Sequence, residues 1–248
     1  MNRHQKSDVS EAPVISRGSV LFFQLAHTRN QDRIRVYEHY SDCTRVVSVV
    51  DGWHDPKYLK GNVEGADAAE LVSDLFPRVF LAAKGDVEAR AASAARQTHN
   101  ALIGKYPAHV SGVGTFVFCY PDKHVIVTIG TITTLTCINA AWQKPGAIRD
   151  TWLDWKTHES GSKTFFGRGE LASHPEYSQE TDVIVTDPDV PVLILTDGAD
   201  GILPLRTINS LYRNFSSGRV FIDALRDYAV EHREKQSDDI SVAFIGAA

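Results

Sequence analysis

The chain has 248 residues, a formal net charge of −5 and a pI of about 6.0, and 43% of its residues are hydrophobic. This length and composition are sufficient for a folded core and exclude a globally disordered chain. The acidic balance gives no electrostatic signature of a nucleic-acid-binding or membrane-surface protein.

The first half of the chain predicts three strands followed by two helices. The strands are residues 19–26, 33–40 and 45–51, which are rich in apolar and β-branched residues. A helix is predicted over 65–82, because apolar residues recur there at i, i+3 and i+4 spacing, and Pro77 is expected to kink or split it. Asp86 is a candidate N-cap for a second helix that runs to about Ile103 and stops at Gly104.

The second half of the chain predicts further strands and two more helices. The strands are 114–120, 124–130, 134–140, 190–197 and 240–246, the helices are 207–213 and 217–235, and the segment 141–189 is irregular. This order indicates an α+β protein rather than alternating βαβ units. Short turns between consecutive strands favour antiparallel pairing, so we expect two sheets flanked by helices.

Cysteine usage and the N-terminal sequence indicate the compartment. Cys43, Cys119 and Cys137 are too few and too scattered for a disulfide framework or a cysteine-based zinc site. The first residues are polar and lack the apolar segment of a signal peptide, and no segment approaches the ~20 apolar residues of a transmembrane helix. We expect a soluble cytoplasmic protein with a flexible segment at 1–17 and a single domain at 18–248.

Carboxylates flank apolar strands at three widely separated places. VVSVVDG ends in Asp51-Gly52, VLILTDG ends in Asp197-Gly198, and Asp238 with Asp239 precedes the last strand. One Asp-Gly pair is a common hairpin signal, but three carboxylate groups that converge repel one another unless cations neutralise them. Oxygen ligands without cysteine favour Mg²⁺ or Mn²⁺ over zinc or copper.

The order of five motifs resembles the metal-dependent protein phosphatase family (PPM, type 2C). The motifs are NQD (30–32), VVSVVDG (46–52), GVGTF (112–116), VLILTDG (192–198) and SDDISV (237–242). The resemblance implies a four-layer α-β-β-α sandwich, with two central antiparallel sheets flanked by helix pairs. It also implies two Mn²⁺ or Mg²⁺ ions in a cleft and the hydrolysis of phosphoserine or phosphothreonine on proteins. We expect a monomer that opposes a Ser/Thr kinase in bacterial-type signalling.

Carried over position by position, the resemblance implies a ligand set for two metals. Asp51, Asp197 and Asp238 match the metal-binding aspartates, and Gly52 matches a residue whose carbonyl binds one ion. Asp32 matches an acidic residue that holds coordinated water. In such a site the cations activate a water for in-line attack on phosphorus, and no covalent nucleophile is needed.

The sequence departs from the family beside the first metal-binding motif. WHDPKYLKGNVE follows Gly52 and is interpreted as a loop insertion, with Gly65 resuming the start of the helix. His54, in this segment, is either a general acid for the leaving group or a solvent-facing loop histidine. The phosphate-binding arginine of the family falls on His27; Arg29 is either its replacement or a surface arginine.

The ligand set for a third metal is incomplete. The two positions that would serve it carry Thr131 and Gly201, and Asp200 stands one place early.

Three functions fit the sequence. The first is the metal-dependent protein phosphatase, and the second is a pseudophosphatase that keeps the fold as a binding or regulatory module. The third is a metallohydrolase for a small phosphorylated molecule. The first is favoured over the second because a chain released from catalysis has no physical reason to keep mutually repelling carboxylates.

Overall fold

The computed structural model of the chain describes residues 13–17, 19–26, 30–54, 65–106, 110–130, 132–145, 166–167, 181–215, 217–235 and 238–246. For residues 53, 54, 110, 111, 166 and 167 the backbone alone is described. Expectations for 1–12, 55–64 and most of 146–180 lie outside the described residues.

Two antiparallel sheets form the centre of the fold. Within the described ranges the strands, in chain order, are β1 (Ile15–Arg17), β2 (Val20–Leu25), β3 (Arg33–Tyr40), β4 (Cys43–His54), β5 (Val110–Cys119), β6 (His124–Ile129), β7 (Thr133–Ile138), β8 (Ala141–Gln143), β9 (Phe166–Gly167), β10 (Asp182–Thr186), β11 (Val192–Leu195) and β12 (Ile240–Ile245). Sheet A has the order β1-β2-β12-β11-β7-β8. Sheet B has the order β10-β6-β5-β4-β3, with β9 paired to β5.

Five helices are described alongside the sheets. They are α1 (Gly65–Ala82), α2 (Val87–Lys105), α3 (Asp197–Ile202), α4 (Leu205–Asn214) and α5 (Gly218–His232), and a short 3₁₀ turn, Arg233–Lys235, follows α5. The predicted bounds of α1 are confirmed. Asp86 caps α2 as predicted, because its carboxylate accepts the N–H of Ala89 at 2.8 Å. None of the helices in the described part of the chain combines the length and apolar character of a membrane span.

Pro77 does not split α1, which continues to Ala82. Proline removes the N–H that would bond the carbonyl of Ser73 one turn earlier. That carbonyl instead accepts a hydrogen bond from the hydroxyl of Ser48 in β4, at 3.2 Å. A group from the sheet replaces the missing helical bond, so the helix tolerates the proline.

Three hydrophobic clusters hold the layers together. Helices α1 and α2 pack on sheet B, where the rings of Phe76 and Phe116 stack at 4.0 Å. A second cluster joins the two sheets and includes Val49 of β4 and Ile194 of β11. A third joins sheet A to α3, α4 and α5, with Phe221 fully buried. The order is helices, sheet, sheet, helices, as the resemblance implied.

The short edge strands were not predicted. Ile15–Arg17 (β1), inside the segment expected to be flexible, pairs with β2. Asp182–Thr186 (β10), inside the segment expected to be irregular, pairs with β6. Both are exposed or half-buried along their length, so neither shows the apolar pattern that identified the central strands.

The turn between β7 and β8 carries a strained alanine. Asn139 and Ala140 have φ angles of +53° and +59°, and the flanking residues Ile138 and Ala141 pair directly. Positive φ at both central positions is typical of a type I′ turn, in which glycine is preferred at the second position.

We expect Ala140→Gly to raise the free energy of unfolding by about 0.5–1 kcal/mol, because it relieves that strain. Urea denaturation measures the change. Ala141→Gly is the control, and it should lower stability because residue 141 belongs to a strand. If both variants lose stability, the turn is not strained at Ala140.

Candidate active site

Asp51 lies inside β4, so the prediction that a strand ends at Asp51-Gly52 is wrong. The strand continues to His54, and β5 pairs with it residue by residue, Asp51 opposite Val113 and Gly52 opposite Gly112. Because β5 begins early enough to supply these partners, the backbone stays extended. Position 54 was expected to lie in a loop, but it belongs to β4.

Asp197 follows a buried strand, as predicted, and begins a helix that was not predicted. All four residues of β11 are buried. Thr196 is the N-cap residue of α3, and Asp197 is the first residue of that helix. The Asp-Gly pair thus marks the passage from strand to helix.

Asp238 lies beside Asp197, at the start of the neighbouring strand. The backbone N–H of Thr196 donates to the carbonyl of Ser241 at 3.1 Å, which ties the end of β11 to β12. A Cβ at Gly198 would lie 2.0 Å from the carbonyl oxygen of Asp239 and 3.3 Å from Cβ of Asp238. The glycine therefore permits direct contact between the two aspartate-bearing segments.

Gly52 contacts the two other segments of the site. A Cβ at this position would lie 2.1 Å from the carbonyl oxygen of Gly65, at the start of α1, and 2.9 Å from that of Gln31. The N–H of Gln31 donates to Oδ2 of Asp239 at 2.7 Å, across to β12 of sheet A. The backbone thus brings the segments around residues 32, 51, 197 and 238 together at one end of the sandwich.

Asp32 is the most enclosed carboxylate of this group, with 2% of its surface exposed. Its turn is held by local bonds: its own N–H donates to Oδ1 of Asn30 at 3.0 Å, and Nη1 of Arg33 donates to its carbonyl at 2.7 Å. Its Oδ2 atom is buried and has no hydrogen-bond partner among the described residues. Burial raises the pKa of Asp32 to about 7, and the charges of Asp239 and Asp197 add to the effect of burial.

The other carboxyl groups repel one another in the same way. Burial, followed by the charges of Asp32, Asp197 and Asp238, raises the pKa of Asp51 well above its usual range. Burial and then the charge of Asp238 raise the pKa of Asp197 to about 6. Asp197 is exposed at the surface, and its carboxyl group lies close enough to that of Asp238 to be affected by its charge. As charged groups these four aspartates are costly unless a cation neutralises them.

The residues present fit divalent cations in chemistry, although their side chains are not closed around one. Within the described ranges, no three acidic, histidine or cysteine side chains stand close enough to hold an ion. The donors are oxygen atoms throughout, and Oδ2 of Asp32 is a buried acceptor without a partner in the part of the chain that the structure describes. Mg²⁺ and Mn²⁺ select such donors. The backbone brings the segments that carry these aspartates together at one end of the sandwich.

The architecture matches solved structures of bacterial serine/threonine phosphatases. Stp1 from Staphylococcus aureus aligns with a TM-score of 0.66 and 13% identity over 92% of this chain and 94% of that one. The catalytic domain of PstP in complex with two manganese ions aligns with a TM-score of 0.64 and 15% identity, covering 91% of this chain and 96% of that one. The S. agalactiae enzyme aligns at 0.63 with 13% identity, covering 92% and 99%.

The chain has the fold of these phosphatases. The fold that the five motifs predicted is thereby confirmed, whereas in sequence comparisons no family model and no curated protein matches the chain.

Four positions that the sequence predicted to lie at the site are partly or wholly outside the described residues. They are Arg29, His27, Thr131 and the side chain of His54. Asp200 is described, and it is an exposed residue of α3.

Sequence reasoning missed the polar residues that surround Asp32. Thr196 and Ser241 are fully buried, and their hydroxyl groups lie beside the Asp32 carboxyl group, where they counter the rise in its pKa. Asp239, which the predicted carboxylate cluster at the last strand already included, is also buried, and it accepts the N–H of Gln31. The available signal was a hydroxyl within the apolar run ISVAFI, because a buried polar residue needs a partner.

Gly52→Ala is expected to lower the free energy of unfolding by about 3 kcal/mol, because the added methyl group would overlap backbone atoms that cannot rotate away. Gly104→Ala is the matched control: its Cβ would meet nothing within 4 Å, and alanine favours the helix by about 0.5–1 kcal/mol. Chemical denaturation distinguishes the two. Equal stabilities would show that Gly52 and Gly65 are not in close contact.

Proposed function

We propose that the protein is a phosphatase that hydrolyses phosphoserine and phosphothreonine on proteins and depends on two Mn²⁺ or Mg²⁺ ions. The observation that carries the proposal is the meeting of Asp32, Asp51, Asp197 and Asp238, from four separate segments, at one end of a phosphatase fold. Without cations this arrangement opposes folding, and with them it becomes a binding site.

Each residue has a distinct role in the proposal. The carboxylates of Asp51, Asp197 and Asp238 and the carbonyl of Gly52 would hold the ions. Two bound divalent cations supply a water of lowered pKa and neutralise charge on the phosphoryl group. Oδ2 of Asp32 is an acceptor available to orient that water.

The groups that would contact the substrate are also proposals. Arg29 is proposed to bind the phosphate, and His54 to protonate the leaving oxygen of serine or threonine. The structure of PstP with two manganese ions supports the choice of metal. A phosphorylated protein as substrate follows the described activity of Stp1 and PstP as serine/threonine phosphatases. A single domain over 18–248, a monomeric state, a cytoplasmic location and an opposing Ser/Thr kinase complete the proposal.

Hydrolysis assays with and without metal test this function. We expect an aryl phosphate and a phosphothreonine peptide to be hydrolysed in Mn²⁺ or Mg²⁺, and turnover to stop when a chelator is added. A peptide that is no better a substrate than the aryl phosphate would point instead to a small phosphorylated molecule. A folded sample without turnover in either metal would contradict the proposal and favour a binding module.

A further inference from the structure

Three polar side chains form a hydrogen-bonded network behind Asp32. Gln24 in β2 lies directly opposite Ser241 in β12, and Thr196 follows β11 on the other side of β12. Ser241 and Thr196 are fully buried, and Gln24 is half-buried. Three neighbouring segments of sheet A thus each place one polar group beside Asp32.

The amide of Gln24 determines which atom donates in its hydrogen bond with Ser241. Its Nε2 lies 3.4 Å from the backbone carbonyl of Asp32 and 3.0 Å from Oγ of Ser241. A carbonyl oxygen only accepts, so the nitrogen side of the amide faces it. Ser241 Oγ therefore accepts from Gln24 and keeps its own proton available, and the hydroxyl lies close enough to the Asp32 carboxyl group to counter the rise in its pKa.

The hydroxyl of Thr196 is oriented by a hydrogen bond from the backbone of β12. Its Oγ1 accepts the backbone N–H of Ser241 at 3.0 Å. The hydroxyl of Thr196 in turn donates to the carbonyl of Ser241 at 3.5 Å, and it lies close enough to the Asp32 carboxyl group to counter the rise in its pKa. Among the described residues Oδ2 of Asp32 has no hydrogen-bond partner, so neither hydroxyl occupies it.

We propose that Ser241 and Gln24 are positioning residues, which act through Asp32 and set the rotation of its carboxylate so that Oδ2 faces the metal-bearing cleft. This inference rests on the proposed function. Without the hydroxyl donors, the Asp32 carboxylate would lose its anchored oxygen and rotate, and outer contacts of this kind are worth about 10- to 100-fold in metal affinity or activity.

Ser241→Ala and Ser241→Thr test the positioning role. We expect Ser241→Ala to lower kcat for an aryl phosphate in saturating Mn²⁺ by about 10- to 100-fold with little change in KM, and Ser241→Thr to restore most of it. Gln24→Met removes the donor while keeping the length of the side chain, so a smaller loss is expected. Mn²⁺ affinity, measured by calorimetry, gives a readout independent of turnover.

Ser48→Ala is the control for a merely structural loss. Ser48 is fully buried, and its hydroxyl donates to the carbonyl of Ser73, so its removal also leaves a buried group unpaired. It is expected to lose stability but to keep kcat within about 2-fold, since it makes no bond to the site. If Ser241→Ala matches Ser48→Ala in kcat and Mn²⁺ affinity, the positioning role is wrong. If the wild type has neither turnover nor Mn²⁺ affinity, the proposed function has failed, and the positioning role fails with it.

Discussion

Asp197→Asn is expected to reduce Mn²⁺-dependent hydrolysis of an aryl phosphate by more than about 100-fold. The change removes a proposed metal ligand, whereas the loss of an outer-sphere partner alone costs about 10- to 100-fold. The variant keeps the shape of the side chain, so the loss would not come from a packing defect.

The same variant should be more stable than the wild type when no metal is present. Asp197 is repelled by Asp238, and burial raises its pKa to about 6, so the neutral amide removes an unfavourable charge. Asp122→Asn is the matched control, because Asp122 lies in the turn at the far end of β5, about 20 Å along the strand from the partner of Asp51. Thermal unfolding with and without Mn²⁺ compares the stability of Asp197→Asn with that of the control Asp122→Asn. An Asp197→Asn variant that gains as much stability from Mn²⁺ as the wild type would contradict its role as a ligand.

The stability of the metal-free protein should fall as the pH rises from about 4 to 7, relative to an Asp32→Asn variant. The pKa of Asp32 is about 7 in the folded chain and 3.8 ordinarily, so the folded state binds more protons within this window. The stability that Asp32 contributes by binding a proton in the folded state is complete below pH 3.8 and is lost as the pH rises through 7. A shift of about three pKa units corresponds to on the order of 4 kcal/mol.

The comparison with Asp32→Asn reports the titration of Asp32 together with its electrostatic coupling to Asp51, Asp197 and Asp239, because titrating groups elsewhere in the chain contribute equally to both proteins. Urea denaturation at several pH values in the presence of a chelator measures the difference. Mn²⁺ at about 100 times its dissociation constant should restore about 2.7 kcal/mol to the wild type at pH 7. A difference that is independent of pH would show that Asp32 is not desolvated in the folded protein.

The central strands and the main helices could be predicted because burial leaves a periodic pattern in the sequence. The run VLILTDG identified β11, and i, i+3, i+4 spacing located α1 within its observed bounds. Edge strands such as Asp182–Thr186 have one neighbour in the described sheet and keep partly exposed side chains, so their pattern is weak. The path of β4 beyond Gly52 depends on how far β5 extends, which is a long-range property.

The site was predictable in its aspartates and not in its supporting network. Asp51, Asp197 and Asp238 stand next to apolar runs in motifs whose order could be recognised. The hydroxyl residues beside Asp32 come from segments that are adjacent only after sheet A has formed, so the hydroxyl in the run ISVAFI indicates that a partner is needed but not which residue that partner is. Pro77 shows the same limit, since its tolerance depends on Ser48 in another element.

A crystal structure grown in Mn²⁺, with anomalous scattering recorded at the manganese edge, tests the two-metal site most directly. We predict two anomalous peaks in the cleft, bound by the carboxylates of Asp51, Asp197 and Asp238 and by the carbonyl of Gly52. Oδ2 of Asp32 should face a water beside them. A well-ordered site without anomalous peaks, or peaks bound elsewhere on the chain, would contradict the account.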